Sequence, residues 1–189
     1  MITIVSGLPR SGTSLMMQML TAGGMTAMSD GERKADFDNP KGYLEWEQVK
    51  QLPKNRDLID QAEGRVVKVI SQLILSLPAG HDYRVIFMQR PLPEVMASQD
   101  EMLRRRGNYD ESVNHAAMNN AFRDHLFRVN TWLNQQANVK VLRVSYHDVL
   151  RDPKASAQQI GQFLGIPLNV DAMAAQVDES LYRQRGKNL

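Results

Sequence analysis

The opening stretch, MITIVSGLPRSGTSLMMQML (residues 1–20), runs from a short apolar segment, Ile2 to Val5, into a glycine-bounded loop and then an apolar periodic segment. Its central part, Gly7-Leu8-Pro9-Arg10-Ser11-Gly12-Thr13-Ser14, keeps the glycine and hydroxyl register of the phosphate-binding pattern G-x-x-x-x-G-K-[ST]. One residue departs from it: Thr13 occupies the lysine position, and a cation, Arg10, stands earlier in the loop. A strand, a tight loop and a helix in that order bring successive backbone N–H groups and the positive end of a helix onto one anion. The loop is therefore expected to hold phosphate-like groups, with the hydroxyls of Ser11, Thr13 and Ser14 adding donors that need no metal. Without the lysine, and with no obvious acidic residue at the end of an apolar strand to organise Mg²⁺, the usual equipment for nucleoside triphosphate hydrolysis is missing. The competing reading is a glycine turn capped by Ser and Thr.

Beyond the loop, short apolar bursts alternate with helical patterns, which predicts an α/β fold of three layers around a central, mostly parallel sheet. Residues 2–6, 65–70, 83–88 and 139–145 are rich in Val and Ile and nearly continuous in apolarity, as strands covered on both faces are. Helical patterns run over residues 13–22, about 45–52, 93–106 and about 111–136. A last helix begins near Pro153, where a missing N–H costs nothing, and stops at Gly165 with Pro167 just beyond.

Composition narrows the function classes. At 189 residues and 42% hydrophobic, the chain is expected to form a single domain, residues 1–189, with a sizeable core. A net charge of +2, from 23 basic and 21 acidic residues, gives no sign of a nucleic-acid binder, so any anion site must be local. No cysteine is present, which removes thiol nucleophiles and cysteine-ligated metals. No apolar run approaches the roughly 20 residues that cross a bilayer, and the N-terminus does not read as a secretion signal. A soluble, cytoplasmic protein is the expectation.

A second constellation follows the third strand: Arg90-Pro-Leu-Pro-Glu-Val-Met-Ala-Ser98. Arg90 ends the strand and Ser98 falls on the second turn of the next helix, so both can face the sheet edge at which α/β folds bind ligands. An arginine fork with a hydroxyl suits a second phosphate; a surface ion pair and a helix-filling serine is the other reading.

Three motifs together, PRSGTS after the first strand, R-P-x-x-E-V-x-A-S, and the later V-S-Y-x-D-V-L-R-D-P, resemble the sulfotransferases that use 3′-phosphoadenosine 5′-phosphosulfate (PAPS). The resemblance runs from Ile2 to Pro167. It implies a P-loop nucleotide-hydrolase-like sulfotransferase fold, with PAPS as co-substrate and no metal. It further implies that Arg10, Ser11, Gly12, Thr13 and Ser14 hold the 5′-phosphosulfate, and that Arg90 and Ser98 hold the 3′-phosphate. Many cytosolic members carry a Trp shortly after the loop, where this chain has Leu15. They also carry a Lys-x-His pair at the end of a central strand; the matching Lys68-Val69-Ile70 retains only the lysine.

A base must then come from elsewhere. The stretch N-P-x-G-Y-x-E (residues 39–45) resembles that of bacterial members in which a Glu serves, and Glu45 matches it, with Glu47 second. Glu45 could instead complement a helix dipole. Phe37, Tyr43 and Trp46 could line an acceptor pocket or belong to the core. Lys68 is costly to bury unpaired; it could neutralise the leaving phosphate or reach solvent from an edge strand.

The four histidines form no metal spacing and read as structural or surface, His115 being the one that could border an acceptor cleft. Arg104-Arg105-Arg106 reads as a solvated helix end. The basic tail with Arg185-Gly186-Lys187 could close over the 3′-phosphate or be a frayed terminus. The reaction expected is sulfuryl transfer to a hydroxyl or amine of a small-molecule, glycan or lipid acceptor, with Glu45, Lys68 and Arg10 carrying the chemistry. An ATP-dependent small-molecule kinase and a non-catalytic binder of the desulfated nucleotide are the alternatives.

Overall fold

The computed structural model describes residues 1–37, 39–178 and 180. Four parallel strands, β1 (Ile2–Gly7), β2 (Val66–Lys68), β3 (Tyr83–Gln89) and β4 (Val139–Ser145), form one sheet in the order β2-β1-β3-β4. The helices are α1 (Thr13–Ala22), α2 (Leu92–Arg105), α3 (His115–Gln135), α4 (Tyr146–Arg151), α5 (Pro153–Leu164) and α6 (Val170–Ala174). Three 3₁₀ turns, Glu47–Gln51, Arg56–Ala62 and Ile74–Ser76, lie on either side of β2 in sequence.

Strand alternation sends side chains to two cores. Ile2, Ile4, Val67, Val85 and Phe87 face a layer made of the 3₁₀ turns and α3, where Trp46, Leu52, Ile59, Ile74, Val129 and Leu133 pack. Val5, Val66, Ile86, Met88 and Val144 face α1, α5 and α6, packing on Met16, Leu20, Ile160 and Met173. The expected three-layer parallel fold is what forms. The chain leaves β1 toward β2 on one side, while β3 pairs on the other. The carboxyl ends of β1 and β3 therefore flank a switch in strand order, the place where such sheets open a ligand crevice.

Local departures have local causes. No helix starts at Glu45: the backbone is extended through Trp46 after Leu44 takes a left-handed turn (φ 48°), and a 3₁₀ helix begins only at Glu47. The long helix begins at His115, later than the pattern suggests, because the Asn114 side chain accepts the Ala117 N–H as its N-cap. The short helices α4 and α6 were not expected; each begins at a capping residue, Ser145 and Asn169 respectively.

Candidate active site

The loop from β1 to α1 takes the shape its glycines permit. Gly7, Arg10 and Gly12 have φ of 147°, 69° and 99°, and a Cβ on Gly12 would lie 2.5 Å from the Tyr146 ring. The Ser11 hydroxyl is buried and donates to the Leu8 carbonyl at 2.7 Å, closing the turn from inside. Pro9, Arg10, Gly12, Thr13 and Ser14 instead line a cavity of about 420 Å³ at the carboxyl edge of the sheet; Ser11 does not.

Lys68 enters this cavity from the end of β2. It does not reach solvent: the residue is 3% exposed, and the amine is enclosed by three acceptors. Nζ donates to Ser14 Oγ at 2.9 Å, to the Tyr43 carbonyl, and to Glu45 Oε1 at 3.3 Å. Burial pushes the amine down from the usual lysine range to about 8, with the Glu45 carboxylate opposing that shift. Glu45 is bracketed on its other side by Arg33, whose Nη1 donates to both carboxylate oxygens at 3.1 and 3.0 Å. The Arg33 guanidinium lies 3.4 Å above the Tyr43 ring, and the Tyr43 hydroxyl donates to Asp36 at 2.7 Å. Burial and the Asp36 carboxylate raise that phenol above its ordinary range. The turn carrying Glu45 is tied to α1 by Gln18, whose amide donates to Asn39 Oδ1 (3.0 Å) and the Gly42 carbonyl (2.8 Å).

At the other end of the cavity Arg90 and Ser98 come together, and Arg10 joins them. Arg90 Nη1 donates to the Arg10 carbonyl at 3.1 Å, and Arg10 Nε donates to Ser98 Oγ at 3.0 Å. The Arg90 guanidinium packs over the Tyr146 ring at 4.7 Å. Its Nε donates at 2.9 Å to Glu94, a buried carboxylate that also bonds His147 Nε2 at 3.0 Å. Glu94 and Ser98 are four residues apart on α2, so one helix face orients both arginines.

Several cavity residues escaped the sequence reading. Arg105 and Arg106 line the cavity and are not simply a solvated helix end. Their signal was available: they follow Ser98 by seven and eight residues, at the last position and the C-cap of the same helix. Arg33, Gln18 and Tyr146 also line it; nothing local in sequence pairs Arg33 with Glu45. Trp46 is core and lines the cavity at once, whereas Phe37 is 65% exposed. Glu47 lines the cavity with its carboxylate paired to Lys50. Of the histidines, His147 belongs to the Arg90 network, while His115 lies by Asp100 (3.7 Å) on a separate shallow hollow. The Arg185-Gly186-Lys187 tail falls outside the described residues. Among the described residues, no cluster of three or more His, Asp or Glu has the arrangement of a metal site.

Among solved structures, a sulfotransferase from Mycobacterium tuberculosis aligns with 93% of this chain and 70% of its own (TM-score 0.60, 18% identity). A mouse sulfotransferase complexed with PAP aligns with 98% of this chain and 67% of its own (TM-score 0.60, 19% identity). A sulfotransferase domain from the curacin biosynthetic pathway aligns with 97% and 91% (TM-score 0.54, 15% identity). No curated protein matches the chain. These likenesses establish the fold, and the sequence itself matches the sulfotransferase domain model over residues 2–188, nearly end to end; the chain belongs to the sulfotransferase family.

Proposed function

We propose that this sulfotransferase moves a sulfuryl group from PAPS to a hydroxyl or amine, with Glu45 as general base. The observation that carries the reading is Lys68: one buried cation touches Ser14 of the phosphate loop and Glu45 together. The donor end and the proton-accepting end of a transfer reaction are thereby held within one side chain's reach.

The residues present fit the donor. Loop backbone with positive φ at Arg10 and Gly12, and the start of α1, suits the 5′-phosphosulfate. Arg90 and Ser98 suit the 3′-phosphate, and Arg10, reaching Ser98 from the loop, stands between the two anionic ends. In the transfer, an acceptor oxygen or nitrogen bonds to sulfur as the bond from sulfur to the bridging phosphate oxygen breaks. The electron pair of that bond stays on the phosphate. Glu45 takes the acceptor's proton, and Lys68 and Arg10 offset the charge on the departing group. Positioning and charge neutralisation supply most of the acceleration, as in phosphoryl transfer.

The test is calorimetric titration with 3′-phosphoadenosine 5′-phosphate (PAP), with ATP and Mg²⁺ in parallel, on the natural chain, Arg90→Ala and Glu45→Gln. PAP should bind in preference to ATP, Arg90→Ala should weaken it at least tenfold, and Glu45→Gln should bind it normally but lose turnover of PAPS. A preference for ATP with Mg²⁺ would replace this reading with a kinase. Normal turnover in Glu45→Gln would remove Glu45 from the proton transfer.

A further inference from the structure

Glu45 carries two cations, and they hold it unequally. Lys68, whose side chain is 2% exposed, reaches only Oε1, at 3.3 Å, just beyond the ordinary N–H···O range. Arg33, whose side chain is 36% exposed, bonds both oxygens at 3.1 and 3.0 Å, so the shorter contacts are those of the outer cation. A carboxylate offers about four acceptor positions. Among the described residues Oε1 takes two of these contacts and Oε2 one, so the group is held yet keeps room for a proton.

A half-exposed ion pair by itself holds little. This one is built differently, because the strap that bears Arg33 is pinned at both ends although residues 29–35 are exposed throughout. At one end the Asp30 N–H donates to the Glu45 carbonyl at 3.2 Å, while the Asp30 carboxylate accepts the Glu47 N–H at 2.6 Å and the Glu32 N–H at 3.2 Å. At the other, Asp36 and Asn39 exchange backbone bonds of 3.4 and 3.1 Å, and Asp36 Oδ1 also accepts the Asn39 N–H at 3.0 Å. Between these anchors the guanidinium lies 3.4 Å from the centre of the Tyr43 ring, which is buried and bonded through its hydroxyl to Asp36. The strap therefore starts on the backbone of Glu45 and ends on the turn that leads into it. A planar guanidinium stacked on a fixed ring has little freedom left to lose when it bonds the carboxylate.

We propose that Arg33 is a positioning residue for the transfer: together with Lys68 it fixes the Glu45 carboxylate in the orientation from which it takes the acceptor's proton. This rests on the reading of Glu45 as the base. A base acts only within hydrogen-bond reach of its proton, and a misplacement of about 1 Å can cost about a hundredfold in rate.

The experiment compares the natural chain with Arg33→Met, which keeps a long stem without the charge, and Arg33→Lys, which keeps the charge. Each is first titrated with PAP, whose binding should be unchanged and reports that the variant is folded. The PAP-saturated chains are then labelled with a water-soluble carbodiimide and glycinamide, and the rate at Glu45 is read by peptide mass spectrometry against the exposed Asp57. Glu45 should label about fivefold or more faster in Arg33→Met, and in Arg33→Lys at a rate between that and the natural one. Turnover is read as PAP released from PAPS, with water and with para-nitrophenol as acceptors. In Arg33→Met kcat should fall about tenfold or more with KM for PAPS unchanged, and Arg33→Lys should recover part of it. In a Glu45→Gln background the same change should cost less than about twofold, because its effect runs through that carboxylate. Unchanged labelling of Glu45 in Arg33→Met, turnover that is natural or raised in that variant, or an undiminished loss in the Glu45→Gln background would overturn the proposal. Natural turnover in Glu45→Gln alone would instead remove the base reading, and this inference with it.

Discussion

Replacing Lys68 by Met removes a buried amine while keeping a long apolar stem, and the effect on stability should depend on pH in a way no other single change would copy. Lys68 holds its proton only up to about 8 in the folded chain, against 10.5 for a free lysine. Below about pH 8 both states are protonated and the folded chain carries the full cost of the buried charge. Between the two values the unfolded chain binds a proton the folded chain does not, so stability rises with pH. At about 1.4 kcal/mol per pH unit the separation amounts to about 3 kcal/mol, most of it realised by pH 10. The variant lacks this term. Its lost bonds to Ser14 and the Tyr43 carbonyl shift its stability by an amount that does not depend on this titration.

The assay is urea unfolding of both proteins at pH 7, 8, 9 and 10. The natural chain should gain about 2–3 kcal/mol on the variant across that range, a relative midpoint change of about 1 M for an m-value near 2 kcal/mol/M. Curves that stay parallel within about 0.5 kcal/mol would mean that the amine titrates as a solvated lysine does, and the argument from burial would fail. Catalysis supplies the opposite sign: transfer should decline above pH about 8 as the amine loses the charge that offsets the leaving group.

The remaining expectations concern the arginine network and the loop. Glu94→Ala leaves the buried Arg90 guanidinium without that carboxylate, and should cost about 3 kcal/mol in urea unfolding. PAP should raise the melting temperature of this variant more than that of the natural chain, because a phosphate replaces the missing charge. Gly12→Ala combines a left-handed φ of 99° with a contact of 2.5 Å to the Tyr146 ring, and should cost about 2 kcal/mol or more, with PAP affinity falling as the ring and Arg90 shift. Natural stability in that variant would mean that the loop is looser than its packing implies.

What could be read from sequence was local, and what could not was brought together by tertiary contacts. The β1-loop-α1 unit is contiguous, and its glycines, apolar strand and helical period all agree, so its form was legible. Arg90 and Ser98 were legible for the same reason, lying within two helical turns. Glu45 was singled out by its turn, yet its setting was not: Arg33 folds back from twelve residues away and Lys68 arrives from another strand. The Lys68 strand is at the sheet edge, and residues 25–28 and 43–46 close over it, so of the two readings left open for this lysine the one that reaches solvent is not what forms; that cover comes from segments distant in sequence. Arg105 and Arg106 show the reverse case. A run of like charge reads as solvated until the helix phase is set by Ser98 on the same stripe.

The lysine absent from position 13 is, in space, not absent. A phosphate loop with that lysine carries its own cation on the helix start, aimed along the axis at the outer phosphates. Here the cation comes from the neighbouring strand: β1 and β2 pair with Val5 opposite Lys68, and Nζ arrives 2.9 Å from the Ser14 hydroxyl. Moving the charge from the loop to β2 has a chemical consequence. A lysine rooted in the helix could follow the loop without contacting the turn at residues 39–45; one rooted in β2 must pass the Tyr43 carbonyl and the Glu45 carboxylate to reach the same serine. The cation proposed to steady the donor is thus the one that contacts the candidate base, and a change that moves the 39–45 turn, beginning with Gln18 on α1, is expected to alter both ends of the proposed reaction together.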